Sequence, residues 1–245
     1  MKIITAAVIK GGTGKTTTAA ALAQAAKRDR MKVLAIDLDP QANLTFILNG
    51  NQNQPGSVQL LHGEDPLQLI QITEQGIDLI AASPDLAAEK TAPASAMRLQ
   101  QALEPIKKDY DFIFIDTPPQ MGELTFNALQ AADGLIIPLE TDSNSIQGLY
   151  QVTDIARQIQ NSNPNLSIIG CILTRYDKRA NLNRYLRDAI EETGQEIGAP
   201  LIATIRPGIA IREAQALQRS LYEYAPKSNP AADYLKLYKK IKKES

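Results

Sequence analysis

The sequence is poor in the residues that build metal and redox centres. It has one cysteine, Cys171, one histidine, His62, and no tryptophan in 245 residues. A single cysteine cannot close an intrachain disulfide, and it cannot supply the cluster that a zinc or iron-sulfur centre takes from one subunit. Cys171 lies in the apolar run "LSIIGCIL" and reads as a core side chain. His62, in the loop-like "LLHGEDP", has no companion ligands beside it, which argues against metal binding or general-base work there. No stretch approaches the roughly 20 apolar residues of a membrane-spanning helix, and no signal-like segment opens the chain, so a cytoplasmic location is expected. Net charge is also scarce: 26 basic against 27 acidic residues give −1. Any basic surface for a polyanion must therefore be local, as in "TRYDKRANLNRYLRD" and "KLYKKIKKES".

Against these absences, 44% of the chain is hydrophobic, enough for a sizeable core. Short apolar runs at 3–9, 33–36, 77–81, 112–115, 135–139, 166–173 and 201–205 alternate with helical patterns near 15–28, 95–108, 123–132, 144–160, 180–193 and 230–243. The alternation predicts a doubly wound α/β fold, a mostly parallel sheet with helices on both faces, as a single domain over 1–245. The polar run "LNGNQNQPGS", 48–57, reads as an exposed loop.

The most specific signal follows the first apolar run. "KGGTGKT", 10–16, ends as a phosphate-binding loop does, with Gly14, Lys15 and Thr16 in the required order, although Ile9 stands at the first glycine position of that pattern. Gly11, Gly12 and Gly14, with Thr13 between them, allow backbone N–H groups to point inward, and a helix starting near Lys15 aims its N-terminal dipole at the same anion. Lys15 is then placed for the β- and γ-phosphates, Thr16 for Mg²⁺, and Thr17 for donation to an outer phosphate. Carboxylates to support the metal are expected at strand ends. "VLAIDLDPQANLT" offers Asp37 and Asp39, and "YDFIFIDTPP" offers Asp116, which resembles a Walker B aspartate.

Together "KGGTGKT", "DLDPQAN" and "DTPPQMGELTFNALQAAD" resemble the ParA/MinD superfamily of deviant Walker A P-loop ATPases. "LTRYDKR" and "REAQALQRSLYEYAPKSNPAADY" extend the likeness to the short ParA/Soj-type partition ATPases. The resemblance implies ATP and Mg²⁺ as cofactors, with Lys15 and Thr16 on phosphate and metal, Asp37 and Asp116 supporting the metal shell, and Asp39 orienting the attacking water. It implies that Lys10 reaches the phosphates of the other subunit in an ATP-held homodimer, supplying charge in trans as an arginine finger does. It places adenine near "TIRPGIAIREAQ", at Pro207 and Gly208.

The resemblance further implies non-specific DNA binding by the dimer, a nucleoid association when ATP is bound, and a centromere-binding, ParB-like activator. Arg179 falls where a DNA-contacting basic residue is expected. A second such position is held by Ala210, with Arg184, Arg206 and Arg212, besides Lys178 and Arg187, carrying charge nearby. No helix-turn-helix extension precedes the first strand, so operator binding by this chain is not expected. The run "PLETDSNSIQGLYQV" departs from the family's usual glutamine-and-glutamate pairing.

Two other readings share the loop. A MinD-like positioning ATPase would use an amphipathic C-terminal helix on membranes, and "ADYLKLYKKIKKES" is amphipathic, with Tyr234, Leu235, Leu237, Tyr238 and Ile241 in one stripe. That segment aligns with the family's last packed helix, so core packing is expected. A metabolic P-loop enzyme would not require Lys10.

Overall fold

The computed structural model describes residues 1–89 and 97–243. Its frame is an eight-stranded sheet in the order β3-β4-β2-β5-β1-β6-β7-β8. In chain order the strands are β1 (Lys2–Ala6), β2 (Val33–Asp37), β3 (Gln71–Ile72), β4 (Asp78–Ile80), β5 (Phe112–Asp116), β6 (Gly134–Leu139), β7 (Ser167–Leu173) and β8 (Leu201–Thr204). All pair in parallel except the edge strand β3, which runs antiparallel to β4. The doubly wound expectation therefore holds.

Alternation along the strands sorts the core into two halves. Ile3, Leu34, Ile36, Ile113, Ile115, Leu135 and Ile137 face one side. Ile4, Val33, Ala35, Phe112, Phe114 and Ile136 face the other. The first face packs against α5 (Arg98–Leu103), α6 (Glu123–Ala131), α7 (Ser145–Gln160) and α8 (Asn181–Glu196). The second is covered by α1 (Lys15–Arg28), α2 (Asn43–Ile47), α9 (Ile209–Ala216), α10 (Leu221–Tyr224) and α11 (Asn229–Lys243). The run of small side chains Ala19, Ala20, Ala21, Ala23, Ala25 and Ala26 is buried along α1, where a bulkier stripe would hold the helix away from the strands.

The long helices match their periodic patterns to within a few residues. Of the expected 95–108 helix, residues 95 and 96 lie outside the described residues, and α5 accounts for Arg98–Leu103. The first strand stops at Ala6, short of Ile9, because the chain leaves the sheet to form the loop at its end. Besides α2 and α10, the short helices α3 (Ser57–Leu61) and α4 (Pro66–Leu69) have no counterpart in the predicted pattern. Four or five residues are too few for a 3.6-residue period to register. The expected exposed loop at 48–57 is corrected at its ends. Leu48 is buried, and Ser57 is drawn inward to donate its hydroxyl to Asp37 O at 2.6 Å.

The C-terminal stripe is core, as expected. Tyr234, Leu237, Tyr238 and Ile241 are buried and Leu235 is half-buried against them, and the Tyr238 ring meets Phe112 edge-on with centroids 5.9 Å apart while its hydroxyl donates to Asp29 Oδ2 at 3.0 Å. Tyr238→Ala is expected to destabilise the fold by about 3–5 kcal/mol, read from urea unfolding. An unchanged midpoint would remove α11 from the core. Among the described residues no helix is long and apolar enough to cross a membrane.

Candidate functional site

Parallel register brings the sequence-distant candidates to one level. Ala6, the last residue of β1, pairs with Asp116 at the end of β5, and Asp116 pairs with Asp37 at the end of β2. The loop 7–14 thus leaves the sheet from the end of β1, which lies between β5 and β6 where the strand order changes direction. Gly12 and Gly14 hold φ of +78° and +94°, a region that side chains strain to enter. Added bulk at Gly14 would also press on Thr174, 3.3 Å from a Cβ built there. Gly14 ends the loop as the N-cap of α1 with no side-chain cap and no acidic residue in the first turn. The first N–H groups of α1 therefore stay available to an anion.

Lys15 is buried, and its Nζ donates back to Lys10 O at 3.1 Å. Burial pulls its ammonium below the ordinary lysine value, with Asp116 and Asp39 opposing. Lys10 takes the other direction: it is exposed, and its Nζ meets Asp142 Oδ2 at 2.6 Å in the loop after β6. The two lysines of the motif thus occupy different environments.

The three aspartates also differ. Asp37 is fully buried and committed: Oδ1 accepts Asp39 N–H at 3.0 Å, and Oδ2 accepts the Thr45 N–H and hydroxyl, each at 2.8 Å. Burial still raises its carboxyl to about 6 against those bonds. Asp39 accepts Gln41 N–H at 3.0 Å on Oδ1 and lines a cleft of about 450 Å³ with Gly11, Gly12, Gly14, Lys15, Thr16 and Thr17. Asp116 is fully buried, and neither carboxylate oxygen has a hydrogen-bond partner among the described residues. Burial first, then repulsion from Asp37, holds its carboxyl well above the usual range, while the Thr16 hydroxyl and Lys15 act in the opposite direction.

An unpartnered buried carboxylate beside a loop threonine fits a hard cation held through water. Among the described residues no three His, Cys, Asp or Glu side chains form a protein-only cage. Among the described residues the His62 side chain has one partner, Glu89 Oε2 at 3.1 Å. The Cys171 thiol is pushed up to about 12 by burial, which leaves it inert.

These carboxyls give a stability signature. Groups with raised folded values bind protons more tightly folded than unfolded, so the contribution of Asp37 to nucleotide-free stability is present at acid pH and is lost as pH rises through about 6, where Asp37 titrates. Asp116 extends the decline upward. Asp116→Asn is expected to raise the nucleotide-free Tm by a few degrees, about 1 kcal/mol, at pH 8, and by less at pH 5, because the raised native carboxyl moves toward its neutral form as pH falls. Calorimetry at the two pH values reads this, and a lower Tm at pH 8 would contradict it.

A second cleft, about 610 Å³, lies on the other flank of the loop and is lined by Gly12, Gly14, Thr17, Thr174, Arg175, Arg206, Pro207, Gly208, Arg212 and Gln215 among others. The structure thus brings Pro207 and Gly208 beside the loop. Arg175 is a residue that sequence reasoning missed. It sits at φ +51°, and its guanidinium donates to Gly12 O and pairs with Glu140. The departing run "PLETDSNSIQG" supplies carboxylates to the two exposed cations at the loop, Glu140 to Arg175, which reaches in from the end of β7, and Asp142 to Lys10.

The basic candidates do not form one uniform set. Arg206 is forked onto Asp233 at 2.7 and 2.8 Å, and Arg179 onto Asp177 at 2.7 and 3.0 Å. Arg184 donates to Asn181, and Arg187 pairs with Asp188 and Glu191. Arg212 is exposed and takes part in no ion pair among the described residues.

A protein family described as an AAA domain matches residues 1–168. The sporulation initiation inhibitor protein Soj of Bacillus subtilis is 34% identical over 250 residues, 98% of this chain and 98% of its own length. Among solved structures, the septum site-determining protein MinD from Pyrococcus horikoshii, complexed with Mg-ADP, is similar with a TM-score of 0.82 at 25% identity, covering 99% of this chain and 96% of its own. Cobyrinic acid a,c-diamide synthase from Mycobacterium smegmatis, with bound ATP analog and magnesium, gives 0.82 at 28% identity over 100% of this chain and 95% of its own.

Proposed function

The chain belongs to the ParA/MinD family of deviant Walker A P-loop ATPases, and on that premise we propose that it is a ParA-type partition ATPase. In this reading one P-loop domain, 1–245, dimerises on binding ATP, binds DNA without sequence preference as the dimer, and positions or segregates plasmid or chromosome cargo from the cytoplasm and nucleoid. A centromere-binding, ParB-like partner stimulates its slow hydrolysis of ATP to ADP and phosphate. The observation that carries the reading is the division between the lysines: Lys15 is buried on its own loop, while Lys10 stands in an exposed stretch, Ile9 to Gly12, with its ammonium on Asp142. A loop that needed only its own phosphate site would not require the second cation.

Lys15, the loop N–H groups and Thr17 bind the phosphates, and Thr16 and Asp116, backed by Asp37, would hold magnesium. Magnesium, when bound, neutralises charge on the β- and γ-phosphates. Asp39 orients the attacking water through the carboxylate oxygen that Gln41 leaves free. Lys10 of a second subunit leaves Asp142 and stabilises the charge developing on the transferred group. Pro207 and Gly208 contact the base.

The DNA face is tested by gel shift on Asp39→Ala protein with ATP at several salt concentrations. Each phosphate contact contributes about −0.9 to the slope of log affinity against log salt, so losing Arg212 from both subunits is expected to flatten it by roughly 2. Arg179 and Arg206 must first leave Asp177 and Asp233, so their loss is expected to change the slope less. Sedimentation with anionic vesicles supplies the contrary outcome: vesicle binding without DNA binding would favour the membrane reading.

A further inference from the structure

Thr17 has a partner from the far end of the chain. Gln215 on α9 donates Nε2–H to Thr17 Oγ1 at 3.0 Å, across 198 residues. Apart from Gly12, Gly14 and Thr17 of the loop and α1, Gln215 is the residue common to both clefts flanking the loop.

A hydroxyl has one proton and two lone pairs. With a lone pair taken by Gln215, the Thr17 proton must be given elsewhere. The usual recipient within a helix is the carbonyl four residues back. That carbonyl, Thr13 O, accepts the Thr174 hydroxyl at 2.8 Å and keeps a second lone pair, but among the described residues the Thr17 hydroxyl donates to no acceptor. The proton is therefore available to an acceptor in the cleft.

The amide is held in place by the packing of its helix. Ala214, beside it, is buried. Just beyond α9, Gln218 sits at φ +52° and donates to Phe46 O at 3.0 Å. Gln75 Nε2 closes the clamp by donating to Gln218 O at 3.0 Å and to Ile47 O at 2.8 Å. These bonds tie the end of α9 to α2, the helix that follows the Asp37 and Asp39 segment.

We propose that Gln215 is a positioning residue for the nucleotide: by donating to Thr17 Oγ1 it commits the Thr17 proton to a phosphate oxygen of the bound nucleotide. It acts through Thr17 and touches no reacting atom, so it tightens nucleotide binding and leaves the chemical step alone. The inference rests on the loop being the ATP site.

The test is a double-mutant cycle on the full chain, titrating a non-hydrolysable ATP analogue with Mg²⁺ by calorimetry into wild type, Gln215→Ala, Thr17→Val and the double variant. Gln215→Ala is expected to weaken binding about fivefold. In the Thr17→Val background the same change is expected to cost nothing further, because no hydroxyl remains to orient. A full fivefold loss persisting in that background would overturn the proposal, as would wild-type affinity in Gln215→Ala. If the alanine variant melts early, Gln215→Glu carries the same test: it keeps the side-chain size, accepts where the amide donates, and is expected to weaken binding at least as much. Lys15→Ala separates the two readings. Wild-type affinity there defeats the ATP site itself, whereas lost affinity there with unchanged affinity in Gln215→Ala defeats only the role of Gln215.

Discussion

Lys15→Ala abolishes ATP binding at any practical nucleotide concentration, an expected loss of at least about a hundredfold in affinity. The side chain is buried, its ammonium is drawn down by desolvation, and Asp116 and Asp39 supply the field that favours its charge. Removing it leaves incoming phosphates facing two carboxylates with no buried cation of the same loop, and truncating one member of a buried charge pair costs about 2–5 kcal/mol. The fold itself should survive, because the loop conformation is carried by Gly12 and Gly14 at positive φ and by Thr174 donating to Thr13 O. Calorimetric titration with ATP and Mg²⁺ reads the loss directly. Unchanged affinity in a normally melting variant would mean that the loop is not the nucleotide site.

The second large effect separates binding from turnover. Asp39→Ala keeps Lys15, Thr16 and Asp116 and is expected to bind ATP and Mg²⁺ normally. Its hydrolysis should fall on the order of a hundredfold, the usual contribution of a positioned base or water-orienting group. The ATP-held dimer then accumulates and is visible by light scattering. Lys10→Ala gives the reverse pattern, binding ATP as a monomer. The Lys10 to Asp142 pair makes this variant clean, because Lys10 is exposed and holds nothing in the core, so its loss should leave Tm within about 1–2 °C. Hydrolysis should fall on the order of a thousandfold, as when a cation acting in trans is removed.

The parts of this site legible in the sequence are those in which chemistry and neighbours in the chain coincide. Gly12, Gly14, Lys15 and Thr16 announce themselves because loop, cap and helix start within five residues. Asp37 and Asp116 are legible because each ends an apolar strand, and parallel register then makes them neighbours. Pairings across the fold left no local trace. Arg175 reaches Gly12 across 163 residues, Lys10 reaches Asp142 across 132, and nothing in "IREAQ" marks Gln215 as a partner of Thr17. Asp37 is the instructive case. Its position was legible, but its commitment to Thr45 was not, because that bond depends on α2, a five-residue helix with too few turns to show a period. The basic residues of the last third were legible as charges. Which of them are held by Asp177 or Asp233 is decided by a turn and by the docking of α11.

The central claim is that ATP joins two copies of this chain through Lys10. Its most direct test is the molar mass of Asp39→Ala protein in ATP and Mg²⁺, measured by light scattering with and without Lys10→Ala. The account predicts a dimer for the single variant and a monomer that still binds ATP for the double variant. A dimer of equal yield in both would contradict it.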